Sequence, residues 1–274
     1  MDAAARSTFS WDYLPDRYRV ILCDIWGVVH DGIRLNVSAA DRLRQWREQG
    51  RFVLLITNAP RTADGVEGQL EAMGLPRSCW DAVVTGGDDG INVLRALARP
   101  VGFIGTRDDR AVLESKGVRI SGTDDVTDVA CAGLDSERPH VEQYAPELER
   151  WAERGVMLHC LNADRVVMHG SVAELCAGAL ADLYIELGGP VAWYGKPHAA
   201  IYEHALRLAG NPAAQTVLAV GDGLQTDMLG AARMGFDAVF VSGGIHADEP
   251  FPPEFAAANG LGEWRPIATV EGLS

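Results

Sequence analysis

The stretch that decides the fold covers residues 19–32 and reads RVILCDIWGVVHDG. Its apolar residues 20–23 lie between a charged residue and Asp24, a pattern typical of a strand buried on both faces of a parallel sheet. Asp24 is then expected at the carboxyl end of that strand, where open parallel sheets bind their ligands. It is a candidate nucleophile or metal ligand, although an aspartate that only caps the following turn gives the same local pattern.

Three later stretches have the same form, with polar side chains at the predicted end of an apolar run. They are residues 52–58 (FVLLITN), which end in Thr57 and Asn58, residues 194–197 (YGKP), with Lys196, and residues 217–227 (VLAVGDGLQTD), with Asp222 and Asp227. An aspartate, a threonine, a lysine and an acidic pair in this order resemble the four motifs of the haloacid dehalogenase (HAD) superfamily. Each motif is weak alone, and the ordered set is specific.

The long insertion between the second and third motifs resembles the class IIA branch, which carries a type-two cap. That branch includes sugar-phosphate, nucleotide, p-nitrophenyl phosphate and pyridoxal phosphate phosphatases. The resemblance covers the chain from about Arg19 to about Gly244. It implies an α/β fold, in which a Rossmann-like parallel-sheet HAD core receives an inserted smaller α/β cap domain. The predicted division is core at 1–85, cap at 86–190 and core again at 191–274, with glycine hinges near 86–87 and 188–189.

The resemblance also implies the roles of the motif residues. Asp24 attacks phosphorus, Thr57 and the amide of Asn58 hold the phosphoryl oxygens, and Lys196 offsets charge and steadies the nucleophile. A Mg²⁺ ion is held by Asp24, the main-chain carbonyl of Trp26 and Asp222, with Asp227 binding directly or through water. The implied substrate is a small phosphorylated metabolite. Taken singly, a solvated lysine or a helix-capping aspartate would explain Lys196 or Asp227 equally well.

Trp26 is where the sequence departs from the phosphatases of the family, which usually have a second aspartate at that position. Indole cannot protonate a leaving oxygen or activate water near neutral pH. The nearest titratable replacements are His30 and Asp31, although an Asp-Gly turn with an exposed histidine is an equally good interpretation. We therefore expect slow turnover of ordinary phosphate monoesters, and faster turnover in Trp26→Asp if the indole is not needed for packing.

Two other functions stay open. The dehalogenases of this superfamily also lack the second aspartate and need no metal, but Asp222 and Asp227 together preserve a metal-type acidic site, which favours phosphate. A catalytically silent binding or regulatory protein is the other alternative, for which Trp26 is the best evidence. The presence of all five motif side chains counts against a silent protein; they are Asp24, Thr57, Lys196, Asp222 and Asp227.

Composition limits the partners. The 274 residues carry a formal charge of −14, which argues against nucleic acid or an anionic membrane as a partner. No apolar stretch approaches the roughly 20 residues of a membrane span, and the N-terminus has no apolar core of a secretory signal. Five widely spaced cysteines suit a reducing cytoplasm. By analogy with the family, a homodimer through the cap is expected.

Three further expectations concern the insert and its exit. Residues 171–187 are predicted to form one helix with Val172 and Leu175 in its apolar stripe, and residues 191–194 to return the chain to the core sheet. By family position, residues 161–165 form the loop that ends a cap strand, which would place Asn162, Asp164 or Arg165 toward the substrate.

Overall fold

The structure, a computed structural model, describes residues 9–123, 125–170, 172–243 and 251–274. Residues 1–8 of the predicted core, Ser171 at the predicted start of a helix and Gly244 at the end of the family resemblance lie outside the described residues. The strands are β1 (Val20–Asp24), β2 (Phe52–Thr57), β3 (Ala82–Thr85), β4 (Gly102–Ile104), β5 (Asp128–Cys131), β6 (Met157–Cys160), β7 (Val166–His169), β8 (Val172–Leu175), β9 (Val191–Trp193), β10 (Val217–Gly221), β11 (Asp237–Val241) and β12 (Ala268–Val270).

The helices alternate with these strands for most of the chain, as expected for an α/β protein. They are α1 (Val37–Glu48), α2 (Ala63–Ala72), α3 (Gly86–Ala96), α4 (Arg107–Ser115), α5 (Ala145–Glu153), α6 (Ala177–Glu186), α7 (Ala199–Leu208), α8 (Leu229–Met234) and α9 (Phe255–Ala258). A π-helical turn, Leu224–Met228, leads into α8. None of the helices among the described residues is long and apolar enough to cross a membrane.

The larger sheet has six parallel strands in the order β12-β11-β10-β1-β2-β3. Every residue of β1 is buried, because apolar layers cover both faces of the sheet. Leu43 and Trp46 of α1 belong to one layer, and Tyr202 and Phe236 to the other. The chain proceeds from β1 toward β3 on one side and toward β12 on the other, so strand order reverses at β1. The carboxyl end of β1 is therefore the place where such sheets form a crevice.

The second sheet has four parallel strands in the order β4-β5-β6-β9 and its own apolar core around Tyr144 and Trp151. The predicted α/β class with a parallel sheet is confirmed. The expectation that residues 191–194 return to the core sheet is wrong, because β9 pairs with β6 and buries Val191 and Trp193 against the second core. The bounds of the cap, 86–190, stay a prediction.

The strands β7 and β8 form a two-stranded antiparallel hairpin, which pairs with neither of the larger sheets. The predicted helix over 171–187 is therefore wrong in its first part, since residues 172–175 form β8 and α6 begins at Ala177. Val172 and Leu175 are 60% and 41% exposed and do not belong to the core. Their spacing fits a helical stripe, but pairing with β7 satisfies the backbone hydrogen bonds of this short segment instead.

Candidate active site

The predicted motif side chains meet at the carboxyl ends of β1, β2 and β10. Asp24 is the last residue of β1, Thr57 is the last of β2, and Asp222 follows β10 directly. Lys196, from the loop after β9, points its Nζ at Asp24 Oδ1 (2.6 Å) and Asp227 Oδ1 (2.8 Å). We call these four side chains, Asp24, Asp222, Asp227 and Lys196, the acidic cluster. Each of the four residues is 6% exposed or less.

The acidic cluster holds more negative charge than its lysine offsets. Burial, with a smaller contribution from the charge of Asp222, raises the pKa of Asp24 to about 7 against the opposing effect of Lys196. Burial and the charge of Asp24 likewise raise the pKa of Asp227 to about 7. Burial acts to lower the pKa of Lys196, but Asp227 and Asp24 outweigh it and the pKa lies well above its usual value. Lys196 is therefore a permanent cation between two carboxylates that hold protons readily.

The donor set of the cluster fits a divalent cation. Asp24, Asp222 and Asp227 each offer a carboxylate oxygen, and these oxygens lie within 4.8 Å of one another. A hard cation with oxygen ligands would offset the repulsion among three buried carboxylates that lie this close together. Gly27 brings the loop after β1 against this group, since a Cβ there would lie 2.0 Å from Asp222 Oδ2. The peptide that joins Trp26 to Gly27 is thus next to the cluster, and the Trp26 carbonyl as a ligand stays a prediction.

Asn58 uses its side chain in a way that the sequence did not indicate. Its Oδ1 accepts the backbone N–H of Lys196 (2.6 Å), and its Nδ2 donates to the Lys196 carbonyl (3.1 Å) and to Asp164 Oδ1 (2.9 Å). Gly195 must be a glycine here, because its φ is +90° and a Cβ would lie 2.4 Å from Asn58 Oδ1. Asn58 therefore fixes the loop that carries the lysine, and it links that loop to the insert.

The Trp26 side chain contacts the β7 strand and His30. Its indole N–H donates to the carbonyl of Met168 in β7 (2.7 Å), and its ring packs edge-on against His30 with 4.9 Å between centroids. Trp26→Asp was expected to raise turnover only if the indole were not needed for packing. The indole does pack and donate a hydrogen bond, so we no longer expect the increase. The substitution would remove this contact.

The two replacement acids suggested by the sequence have different environments. His30 is buried, and burial lowers its pKa to about 4, so that it is neutral near pH 7. Its Nδ1 accepts the N–H of Gly32 (2.9 Å), which assigns the proton to Nε2. Asp31 is exposed, and its Oδ1 accepts the N–H groups of Ile33 and Arg34, which lower its pKa. The turn interpretation thus describes Asp31, whereas His30 is buried and not exposed.

A cavity of about 180 Å³ lies beside the loop that follows β1. It is lined by residues of the core loops and of the insert: Ile25, Trp26, His30, Thr57, Ala59, Pro60, Arg61, Val66, Gln69, Asp109, Asn162, Asp164 and Val167. Of the three insert residues expected to face substrate, Asn162 and Asp164 line it. Arg165 does not; its guanidinium pairs with Asp182. Burial raises the pKa of Asp164, against the lowering effect of Lys196.

Arg61 was not found by sequence reasoning, although it follows Thr57 and Asn58 closely. It lines this cavity and also a larger one of about 820 Å³, which extends to the start of α4 and to the loop at 135–137. Its guanidinium donates to Gln69 Oε1 (3.0 Å). The only available signal was the position of Arg61 just beyond a strand that ends in polar residues.

The parallel sheet and the acidic cluster at its strand ends match the arrangement that the sequence motifs predict, and comparisons with known proteins show the family. Residues 21–119 match the family described as haloacid dehalogenase-like hydrolase, and residues 193–263 match the one described as HAD-hydrolase-like. A solved structure from Brucella suis 1330, a hydrolase of the haloacid dehalogenase-like family, is 35% identical. It aligns over 96% of this chain and 98% of its own, with a TM-score of 0.85. The chain belongs to the haloacid dehalogenase-like hydrolase family, as its motifs predicted.

Two more distant relatives have more specific descriptions. The 5'-nucleotidase YutF of Bacillus subtilis strain 168 is 23% identical over 91% of this chain and 98% of its own length. A glycerol phosphate phosphatase from Mycobacterium tuberculosis, solved in complex with magnesium, is 22% identical over 94% of this chain and 75% of its own, with a TM-score of 0.67. The second likeness shows the fold alone.

Proposed function

We propose that the protein is a magnesium-dependent phosphatase of a small phosphorylated metabolite, acting through a phosphorylated Asp24. The observation that carries this proposal is the buried cluster in which Lys196 bridges Asp24 and Asp227 beside Asp222. The descriptions of the two relatives, a nucleotidase and a glycerol phosphate phosphatase, support phosphate as the substrate group.

The proposed reaction has two displacements at phosphorus. A carboxylate oxygen of Asp24 attacks, the bond from phosphorus to the ester oxygen breaks, and an acyl phosphate forms on Asp24. Water then attacks the same phosphorus, releasing inorganic phosphate and restoring the carboxylate. Lys196 holds the attacking carboxylate, and Thr57, at the end of the adjacent strand, would donate to a phosphoryl oxygen. Bound magnesium would supply charge neutralisation for the transferring group.

The leaving oxygen still needs a proton, which Trp26 cannot supply. His30 and Asp164 line the cavity beside the loop that follows β1, and Asp31 does not. Because His30 is neutral near pH 7 and has no acidic proton to give, we assign the proton to Asp164, whose pKa burial raises, or to no residue if the leaving group of the substrate needs no proton. Slow turnover of alkyl phosphates stays our prediction.

A panel of phosphorylated metabolites, assayed with and without Mg²⁺ and with halide release measured in parallel, tests the proposed function. We expect phosphate release only with Mg²⁺, and we expect Asp222→Ala to abolish both turnover and binding of a beryllium fluoride phosphate mimic. Asp41→Asn, on the exposed face of α1, is the matched control that should retain both. Undiminished activity in excess chelator, or halide release without phosphate release, would instead favour a dehalogenase.

The affinity for Mg²⁺ is expected to fall as the pH falls through about 7. The pKa values of Asp24 and Asp227 are raised to about 7 in the metal-free protein, and a metal binds only the deprotonated carboxylates. Below pH 7 the affinity for Mg²⁺ should fall by up to about tenfold per pH unit for each proton that binding displaces. Above pH 8 the affinity should no longer depend on pH. Calorimetric titration at pH 6 and pH 8 measures this, with Asp227→Asn expected to give a shallower slope. Equal affinity at both pH values would contradict the proposed ligands.

A further inference from the structure

The loop after the nucleophile strand is attached to the β7–β8 hairpin by two hydrogen bonds. The indole N–H of Trp26 donates to the Met168 carbonyl at 2.7 Å, and the N–H of Gly170 donates to the Asp31 carbonyl at 2.9 Å. These partners lie about 140 residues apart in the sequence, so the two bonds join the core to the insert. We call this pair of bonds the hairpin contact.

The packing around the hairpin contact leaves no room for added side chains. A Cβ on Gly32 would lie 2.6 Å from Cζ2 of Trp26 and 2.9 Å from Cδ2 of His169. A Cβ on Gly170 would lie 2.6 Å from Cδ1 of Ile33. Both glycines also have positive φ, 89° and 62°. The close approach of loop and hairpin thus depends on glycine from each side.

The hairpin contact connects two parts of the proposed site. In β7, Val167 lines the cavity beside the loop that follows β1, and the next residue, Met168, accepts the indole hydrogen bond. On the other side, Trp26 lies two residues after Asp24 and directly before Gly27, which is against Asp222. Of the two hydrogen bonds in the hairpin contact, the one from the indole therefore joins a wall of the cavity to the loop beside the acidic cluster.

We propose that Trp26 is a positioning residue, whose indole N–H keeps the β7–β8 hairpin on the nucleophile loop and so keeps the cavity closed on this side. Its effect on turnover rests on the proposed phosphatase function, whereas its effect on the hairpin does not. The side chain at position 26 touches no reacting atom in this role.

Trp26→Phe tests the proposal, because phenylalanine keeps an aromatic ring and removes the donor. Trp264→Phe is the matched control, since the Trp264 indole N–H also donates to a backbone carbonyl, that of Phe236, at 3.1 Å within the core. Amide hydrogen exchange is compared at Gly170 and at Leu158, whose N–H bonds to the Pro190 carbonyl away from the hairpin. We expect exchange at Gly170 to rise roughly fivefold in Trp26→Phe and to stay unchanged in Trp264→Phe.

Kinetics on p-nitrophenyl phosphate provide the second measurement. If the cavity opens, KM should rise about fivefold in Trp26→Phe while kcat stays within about twofold, and Trp264→Phe should change neither. Unchanged Gly170 exchange, or an equal rise at Gly170 and Leu158, would overturn the proposal, because the effect would then be absent or global. A wild-type protein without phosphatase activity would refute the proposed function, while the exchange experiment would still decide the role of Trp26.

Discussion

Asp24→Asn is expected to lower phosphate release by at least about 10⁴-fold, because the substitution removes the nucleophile and keeps its shape. The asparagine Oδ1 can still accept the hydrogen bonds that Asp24 Oδ1 receives from the Ile25 N–H and from Lys196 Nζ. Lys196 also keeps Asp227 as a partner. The loss should therefore lie in the chemistry and not in the fold. Phosphate release, measured with saturating Mg²⁺, is compared with that of Asp41→Asn.

The same variant should be at least as stable as the wild type when metal is chelated. The pKa of Asp24 is raised by burial and by Asp222, so its charge is unfavourable in the metal-free cluster. Because this pKa lies above that of an unfolded aspartate, the metal-free wild type gains stability as pH falls from 8 to 6.5, and Asp24→Asn should gain less. Thermal unfolding in chelator measures both effects. A folded Asp24→Asn protein with normal turnover would remove the covalent mechanism.

The positions of Asp24, Thr57 and Asp222 could be predicted because each lies at the end of a strand that its own sequence defines. Runs such as residues 20–23 and 52–56 are apolar without alternation, which indicates strands buried on both faces. Parallel strands end at one edge, so Asp24, Thr57 and Asp222 had to meet there once the sheet formed. The motif order then supplied the family.

What could not be predicted depends on contacts between segments far apart in the chain. The partner of Trp26 is a backbone carbonyl 142 residues away, and a carbonyl has no sequence signature. The segment at 172–175 fits a helical stripe equally well, and only its pairing with β7 decides that it is a strand. The role of the Asn58 side chain could not be predicted for the same reason, because its three hydrogen bonds are to Asp164 and Lys196, which lie far from it in the sequence.

Lys196→Met should have the largest effect on stability, about 3–5 kcal/mol at pH 8 in chelator, because it leaves the buried carboxylates of Asp24 and Asp227 without the ammonium group that bridges them. The backbone of Lys196 is held by Asn58 whatever the side chain, so the loop should keep its course. The loss should shrink at pH 6, where Asp24 and Asp227 take up protons. Chemical denaturation at both pH values measures it, with and without Mg²⁺.

The double variant Lys196→Met with Asp227→Asn separates this charge effect from simple loss of packing. Removing one carboxylate along with the lysine lowers the uncompensated charge, so the double variant should recover part of the stability that Lys196→Met alone loses. Mg²⁺ should also restore part of the loss in Lys196→Met, since a divalent cation replaces the missing positive charge. Additive losses from the two substitutions, with no dependence on pH or Mg²⁺, would mean that Lys196 contributes by its apolar stem and not by neutralising the carboxylates.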